Sequence, residues 1–282
     1  MPYPGSVLSV ALRPPVGLRP PVELRQPGAP RPAGTPRPAG CEQRLESARQ
    51  DGPRVPTLAV AGASFTAGIG SGHTGDSWAV LLARMLRWDA VVYGDPGAGY
   101  VRAGLGRQGP VAAEIGRIGL RALSPALVIV QAGHDDVGVP PGLERRRAEQ
   151  AVASIRAQVP QARIVLLTVF TGRSRSPAAY RTDRAIVAGG TAADRQVIII
   201  DPLAADWTFP RAPDGLHPTA SGSVWIAGQV AGILREHGVL PAPAGGSAII
   251  CDQSVRAPGP QHPAPGPKAE AGRYPALGPS LP

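Results

Sequence analysis

The chain has 282 residues, a formal net charge of +9 and only 4% aromatic residues. Because its arginines are spread along the chain with few aromatic residues among them, the composition argues against a nucleic-acid-binding face. No stretch approaches the about 18 consecutive apolar residues that a membrane-spanning helix requires. The two cysteines, Cys41 and Cys251, lie far apart and have neither metal-ligand nor redox-motif spacing.

Proline divides the chain into three parts. Residues 1–54 contain 12 of the 34 prolines and residues 241–282 contain 10. Both flanks are poor in large apolar residues, so apolar burial would not offset the conformational entropy that they lose on ordering. We therefore predict a Pro/Arg-rich disordered leader over 1–54, one domain over 55–240 and a Pro/Ala/Gly-rich disordered tail over 241–282. Between two such flanks we do not expect a disulfide.

Within residues 55–240, short apolar runs alternate with helical periodicity. Near-continuous apolar strands separated by helices are typical of a parallel sheet that is covered on both faces. The pattern predicts an α/β fold, a three-layer flavodoxin-like sandwich with a five-stranded parallel sheet. The predicted strands are 57–60, 89–93, 126–131, 163–170 and 196–201, and the predicted helices are 77–88, 111–123, 143–159, 177–193 and 219–237.

Residues that can carry chemistry follow these strands. Ser64 comes after the first strand, Gly97 lies in the glycine-rich loop after the second, and Asp135 follows the third. Ligands bind at the carboxyl ends of the strands in open α/β sheets. A serine hydroxyl needs a base, for which histidine is well matched, and the base needs an acceptor on its other nitrogen. Asp214 and His217, three residues apart before the last helix, can supply both.

Simpler interpretations exist for the same residues. Ser64 and Asp214 could each cap a helix, and His217 could be a surface histidine. Residues 70–75, GSGHTG, fit the GxGxxG pattern of dinucleotide-binding folds. That motif has to open a helix directly after the strand, and here it lies about eight residues too late.

Taken together, the four segments resemble the SGNH hydrolases, also called GDSL esterases or lipases. The blocks of that family correspond here to Gly62-Ala63-Ser64, to Gly97 (with Gly99 as the alternative), to Gly133-His134-Asp135-Asp136 and to Asp214-Gly215-Leu216-His217. The resemblance implies that Ser64 is the nucleophile, His217 the base and Asp214 its orienting acid. It also implies an oxyanion hole formed by the backbone N–H groups of Ser64 and Gly97 and by the side chain at position 135.

The chain departs from the family pattern at two positions. Ala63 replaces an acid, which removes no reacting group. Asp135 stands where the family has an amide donor, and an ionised aspartate cannot donate a hydrogen bond to an oxyanion. Either burial and the neighbouring Asp136 keep Asp135 protonated, or the site is slow, or another group donates. His134 and Gln131 are candidates for that group.

The resulting expectation is a serine esterase that hydrolyses small acyl esters on a carbohydrate, lipid or small alcohol through an acyl-enzyme on Ser64. The alternative is a catalytically weak SGNH-fold protein that binds acylated glycans or a protein partner. No cofactor or metal is implied, the partner is a small-molecule ester, and the oligomeric state is open. No export signal is visible, so a cytoplasmic location is the default, and a true start upstream or downstream of Met1 would leave export open. Residues 55–240 are expected to fold alone and to keep full activity.

Overall fold

The computed structural model describes residues 40–41, 44–45, 55–107, 109–172, 175–240 and 248–256. The described residues contain six parallel strands in the order β5-β4-β3-β1-β2-β6. The strands are β1 Thr57–Gly62, β2 Asp89–Gly94, β3 Leu127–Gln131, β4 Arg163–Leu167, β5 Ile198–Ile200 and β6 Ile250–Asp252. The helices are α1 Trp78–Leu86, α2 Val111–Ile118, α3 Leu120–Leu123, α4 Pro141–Gln158, α5 Pro177–Ala193 and α6 Ala220–Glu236.

The helices cover both faces of the sheet, as the alternation of strands and helices predicts. Successive residues of β1 point to opposite faces, so Ala59 and Ala61 enter one apolar core while Leu58 and Val60 enter the other. Residues of α2, α4 and α5 complete the first core, and residues of α1 and α6 complete the second. The α/β sandwich with a parallel sheet is thus confirmed. No helix in the described part of the chain has the length and hydropathy needed to cross a membrane.

The sheet differs from the prediction in having a sixth strand. β6 pairs with β2 at the edge of the sheet and lies within the segment assigned to the C-terminal tail. Its apolar run is too short to be recognised in isolation, and it is stable because the β2 edge supplies its hydrogen bonds. The predicted helix over 111–123 is also divided in two, with Gly119 between α2 and α3.

The absence of a disulfide was a wrong expectation, because Cys41 and Cys251 are bonded to each other. Cys41 and Leu45, which the sequence assigned to the leader, are buried in the same core as Tyr93 and Ile118. The boundaries drawn at residues 54 and 240 therefore leave out residues that the structure places in the core. Proline content did not reveal them because each flank contributes only a few apolar residues.

Candidate active site

Ser64 lies just beyond the carboxyl end of β1, in the turn that leaves the centre of the sheet. The backbone N–H of Ala63 donates to the carbonyl of Gln131 at the end of β3 (3.1 Å), and Thr66 Oγ1 donates to Gln131 Oε1 (2.9 Å). The carbonyl of Ser64 accepts from the N–H of Ile69 (3.0 Å). These bonds fix the serine between the two central strands, where a parallel sheet presents ligand-binding groups.

His217 and Asp214 come from the loop between β5 and α6 and reach Ser64 from the other side. His217 Nε2 lies 2.8 Å from Ser64 Oγ, and His217 Nδ1 lies 2.7 Å from Asp214 Oδ2. Because an ionised carboxylate only accepts hydrogen bonds, Nδ1 carries the proton that Asp214 accepts. Nε2 of the neutral ring is then free to accept the hydroxyl hydrogen of Ser64, which is the arrangement that general-base catalysis needs.

Asp214 is held as an acceptor by its own loop. Its Oδ1 accepts from the N–H groups of Leu216 (2.9 Å) and His217 (3.0 Å). Although its limited burial acts in the opposite direction, the hydrogen bond from the His217 ring and those from the two backbone N–H groups hold the pKa of Asp214 below its usual value. Asp214 therefore stays ionised and keeps the His217 ring in one tautomer and orientation.

Aromatic packing and a close backbone approach position the His217 ring. Phe65 lies 5.3 Å from it between ring centroids, and Phe65 in turn stacks on Phe170 at 4.4 Å. The backbone of Gly70 packs against the His217 loop and has a φ of +86°. A Cβ at this position would lie 2.9 Å from His217 Cβ and 2.7 Å from the Pro218 carbonyl oxygen. Only glycine allows this approach.

The proposed oxyanion donors lie at the same edge of the sheet. Gly97 is in the loop after β2, and Ser64 begins the turn after β1. Within the described ranges, the backbone N–H groups of these two residues have no hydrogen-bond acceptor in the protein. Unpaired N–H groups near a nucleophile are what an oxyanion hole requires.

Asp135, the third residue expected there, is half-buried. Its Oδ2 is buried and has no hydrogen-bond partner in the described part of the chain. Burial is the main reason that the pKa of Asp135 is raised, and the Asp136 carboxylate raises it further, whereas His134 and His217 act in the opposite direction. The protonated form, which can donate a hydrogen bond, is thus favoured over a wider pH range than for an exposed aspartate.

The two alternative donors suggested by the sequence differ: His134 is engaged through one ring nitrogen, whereas Gln131 is engaged only through its oxygen. His134 Nδ1 lies 2.9 Å from the Phe170 carbonyl, so this nitrogen carries the proton of the neutral ring and Nε2 has none to donate. Gln131 accepts from Thr66 through its side-chain oxygen, and its Nε2 is buried without a partner among the described residues. Both side chains help to hold the loops in place.

Asp136 and Glu144 are the residues whose importance the sequence reasoning missed. Both are fully buried. The Asp136 carboxylate accepts hydrogen bonds from the backbone N–H groups of Tyr100, Val101 and Arg102, in the loop that carries Gly97. The adjacent acids at 135 and 136 were the available signal, but the sequence assigned Asp136 only an effect on the pKa of its neighbour.

No group of three or more His, Cys, Asp or Glu side chains in the described ranges is arranged to hold a metal ion.

A serine, a histidine and an aspartate in contact at the carboxyl edge of a three-layer α/β sandwich place the protein among the SGNH-type carboxylic ester hydrolases. The GDSL-like lipase/acylhydrolase family model matches residues 60–224, more than half of the chain. The chain belongs to this family. No protein of curated function is similar enough in sequence to count as a match.

Solved structures share the fold at low sequence identity. A family two carbohydrate esterase from Clostridium thermocellum is 16% identical, with a TM-score of 0.51, over 67% of each chain. One from Cellvibrio japonicus is 17% identical, with a TM-score of 0.54, over 65% of this chain and 62% of its own. A salicylyl-acyltransferase from a tetracycline biosynthetic pathway is 19% identical, with a TM-score of 0.54, over 68% of this chain and 57% of its own. The chain thus spans about three fifths of the length of the last two.

Proposed function

We propose that the protein is a serine esterase that hydrolyses small acyl esters through an acyl-enzyme on Ser64. The observation that carries this proposal is the hydrogen-bonded chain from Ser64 Oγ to His217 Nε2 and from His217 Nδ1 to Asp214, with lengths of 2.8 and 2.7 Å. Membership of an acylhydrolase family supports it.

In the first half-reaction, Ser64 Oγ attacks the ester carbonyl carbon while its proton passes to His217 Nε2. Asp214 stabilises the imidazolium that forms. The free N–H groups of Ser64 and Gly97 and the carboxyl of Asp135 donate hydrogen bonds that stabilise the negative charge on the carbonyl oxygen of the tetrahedral intermediate. The intermediate collapses as the bond to the alcohol oxygen breaks, and the alcohol leaves with the proton from His217.

In the second half-reaction, water attacks the acyl-enzyme in the same way. His217 takes a proton from the water, a second tetrahedral intermediate forms on the same donors, and the proton returns to Ser64 as the carboxylic acid leaves. Acetyl or other short acyl groups on a carbohydrate are the substrates that the similarity to carbohydrate esterases favours.

One observation favours a second candidate function. Asp135 stands where the family has an amide donor, and losing one oxyanion donor typically lowers turnover about 10²–10³-fold. If Asp135 is ionised at working pH, the protein would bind acylated glycans or a protein partner with little turnover. Measured turnover distinguishes the two functions.

A series of nitrophenyl esters with graded acyl length tests the proposal. We expect turnover that is highest for acetyl to butyryl chains, abolished in Ser64→Ala and unchanged in Ser154→Ala, a matched substitution on an exposed face of α4. A fluorophosphonate should label the Ser64 peptide, as seen by mass spectrometry. Hydrolysis that persists in Ser64→Ala, or a label on another serine, would rule out the proposed nucleophile.

A further inference from the structure

Two fully buried acids lie outside the Ser-His-Asp group, and one of them contacts the loop that carries Gly97. Asp136 follows Asp135 after β3, and Glu144 lies in the first turn of α4; both side chains are completely buried. Burying two carboxyl groups side by side is costly unless each is hydrogen-bonded. Their retention in the interior calls for a physical explanation.

Asp136 binds three consecutive backbone N–H groups of the Gly97 loop. Its Oδ2 accepts from Tyr100 and Val101, and its Oδ1 accepts from Arg102 at 3.0 Å. The carboxylate also packs directly on the α-carbon of Gly99, where it occupies the space that a Cβ would need. A side chain that immediately follows Asp135 thereby fixes the backbone two residues beyond Gly97.

Backbone hydrogen bonds of the residues on either side of Gly97 connect it to the part of the loop that Asp136 holds. The N–H of Gly99 donates to the carbonyl of Arg102 (3.0 Å), and the N–H of Ala98 donates to the carbonyl of Asp95 (3.0 Å). The N–H of Asp95 donates to the carbonyl of Gly62 at the end of β1 (2.8 Å). Gly97 is thus held between the end of β1 on one side and Asp136 on the other.

Glu144 completes the group as a hydrogen-bond donor. Both of its carboxyl oxygens are buried, and no N–H or O–H group of the described residues reaches them. Asp136 is the neighbouring group that acts on the Glu144 carboxyl. Two carboxylates cannot hydrogen-bond to each other unless they share a proton. Burial is the main cause that raises the pKa of Glu144 to about 9, and Asp136 adds to it, so Glu144 is the protonated partner near neutral pH.

We propose that Asp136 and Glu144 are positioning residues that hold the Gly97 loop in register with Asp135, and so set the geometry of the oxyanion hole. This inference rests on the proposed esterase function. It assigns to the second acid of the Gly133–Asp136 segment a task distinct from that of Asp135: Asp136 orders the loop that faces the substrate, and the Glu144 proton keeps Asp136 in place.

Variants of both residues separate positioning from a merely structural effect. Glu144→Gln keeps a donor for Asp136, so we expect its kcat to stay within about threefold of the native value at pH 7. Glu144→Leu removes the donor, and Asp136→Asn replaces an acceptor oxygen with a donor. Because misplacing a catalytic group by about 1 Å can cost about 100-fold in rate, we expect both to lower kcat by at least about tenfold with little change in KM. Glu149→Gln, on the same helix, is the matched control.

The pH profile provides a second readout. The groups that face Glu144 are Asp136 from the β3 loop and Tyr100 from the β2 loop, and Asp183 of α5 faces Tyr100. The shared proton is present below about pH 9 and is lost as the pH rises through that value. Native kcat should fall in this range, and Glu144→Gln should not show the fall.

Hydrogen–deuterium exchange of the peptide that covers residues 98–104 tests, without any need for turnover, whether Asp136 and Glu144 hold this loop in place. We expect faster exchange in Glu144→Leu and Asp136→Asn and native exchange in Glu144→Gln. Unchanged exchange in Glu144→Leu and Asp136→Asn would show that the two acids do not hold the loop. Faster exchange with native kcat would show that holding the loop does not set the geometry of the oxyanion hole. A native enzyme no faster than Ser64→Ala would instead contradict the esterase function. The exchange data would still show whether Asp136 and Glu144 hold the loop.

Discussion

At the scale of single residues, the site depends on how burial changes hydrogen-bonding capacity. Asp214 is half-exposed and accepts three hydrogen bonds, so it stays ionised. Asp135 is more buried, its Oδ2 has no partner among the described residues, and its pKa is raised. Two residues of the same type thereby serve opposite roles, one as an acceptor for His217 and one as a candidate donor to the substrate.

Replacing Asp135 with asparagine tests this assignment. A raised pKa means that the donor form of Asp135 is present below that pKa and is lost as the pH rises through it. We expect the ratio of kcat for Asp135→Asn to native kcat to be close to one at low pH and to rise with pH, reaching about 10²–10³, the value of one oxyanion donor. Because both enzymes contain His217, the ratio cancels its titration.

The measurement is kcat against pH for both enzymes, with Asp76→Asn, a substitution on the 3₁₀ turn Thr74–Asp76, as the control. An Asp135→Asn enzyme that is strongly inactive at every pH would contradict the assignment. It would mean that the acid group has another role, such as orienting His134.

Among the secondary-structure elements, β6 is followed by a segment that contacts the start of the loop carrying Gly97. The carbonyl of Gly94, the last residue of β2, accepts from the N–H of Val255 (2.8 Å), and the N–H of Gly94 donates to Ser254 Oγ (3.1 Å). Gly94 immediately precedes the loop of Asp95 and Gly97. The segment after β6 therefore anchors the start of the loop whose far side Asp136 holds.

Two truncated chains test this role of β6. We expect a chain of residues 1–256 to match the full protein. A chain of residues 1–240 should melt about 10 °C lower or more, because it loses β6 and the Cys41–Cys251 disulfide and exposes the buried residues around Cys41 and Leu45. Removing a buried side chain such as leucine costs about 2–5 kcal/mol, and each kcal/mol lowers the Tm by about 2–4 °C in a domain of this size.

The kcat of the shorter chain, measured below its melting temperature, should fall because Gly94 loses two hydrogen bonds. Equal Tm and kcat values for the two truncated chains would show that β6 supports neither the fold nor the loop. That outcome would restore the boundary at residue 240.

At the scale of the whole molecule, the Cys41–Cys251 disulfide joins the two flanks to the domain. The cysteines are 210 residues apart in the sequence, and both are buried. Because disulfides persist in oxidising environments, the bond favours such an environment over the reducing cytoplasm that the sequence alone left as the default.

Breaking this disulfide should lower stability more than most single changes. In the chain-entropy model, closing a loop of about 200 residues stabilises the folded state by up to about 5 kcal/mol. We therefore expect the Cys41→Ser/Cys251→Ser variant to melt about 10–20 °C below the oxidised protein. Thermal unfolding by circular dichroism, with thiol counts under denaturing conditions, provides the measurement. A Tm that differs by less than about 2 °C would show that the bond contributes little.

The layer architecture and the candidate residues of the Ser-His-Asp group could be predicted from the amino-acid sequence alone. Alternation of buried strands and amphipathic helices is a local property, so five strands and the loops that follow them could be read directly. Ser64, Asp214 and His217 were identifiable because each stands at a strand end or before a helix, in a short motif with few plausible roles.

Which segments contact each other could be seen only once the chain was folded. The β6 strand, the Cys41–Cys251 bond and the Asp136–Glu144 contact each join segments whose local composition carries no sign of the partner. The state of Asp135 likewise depends on burial and on the charges that surround it in space. Pairing, burial and pKa are properties of the packed environment, and a pattern of neighbouring residues along the chain does not contain them.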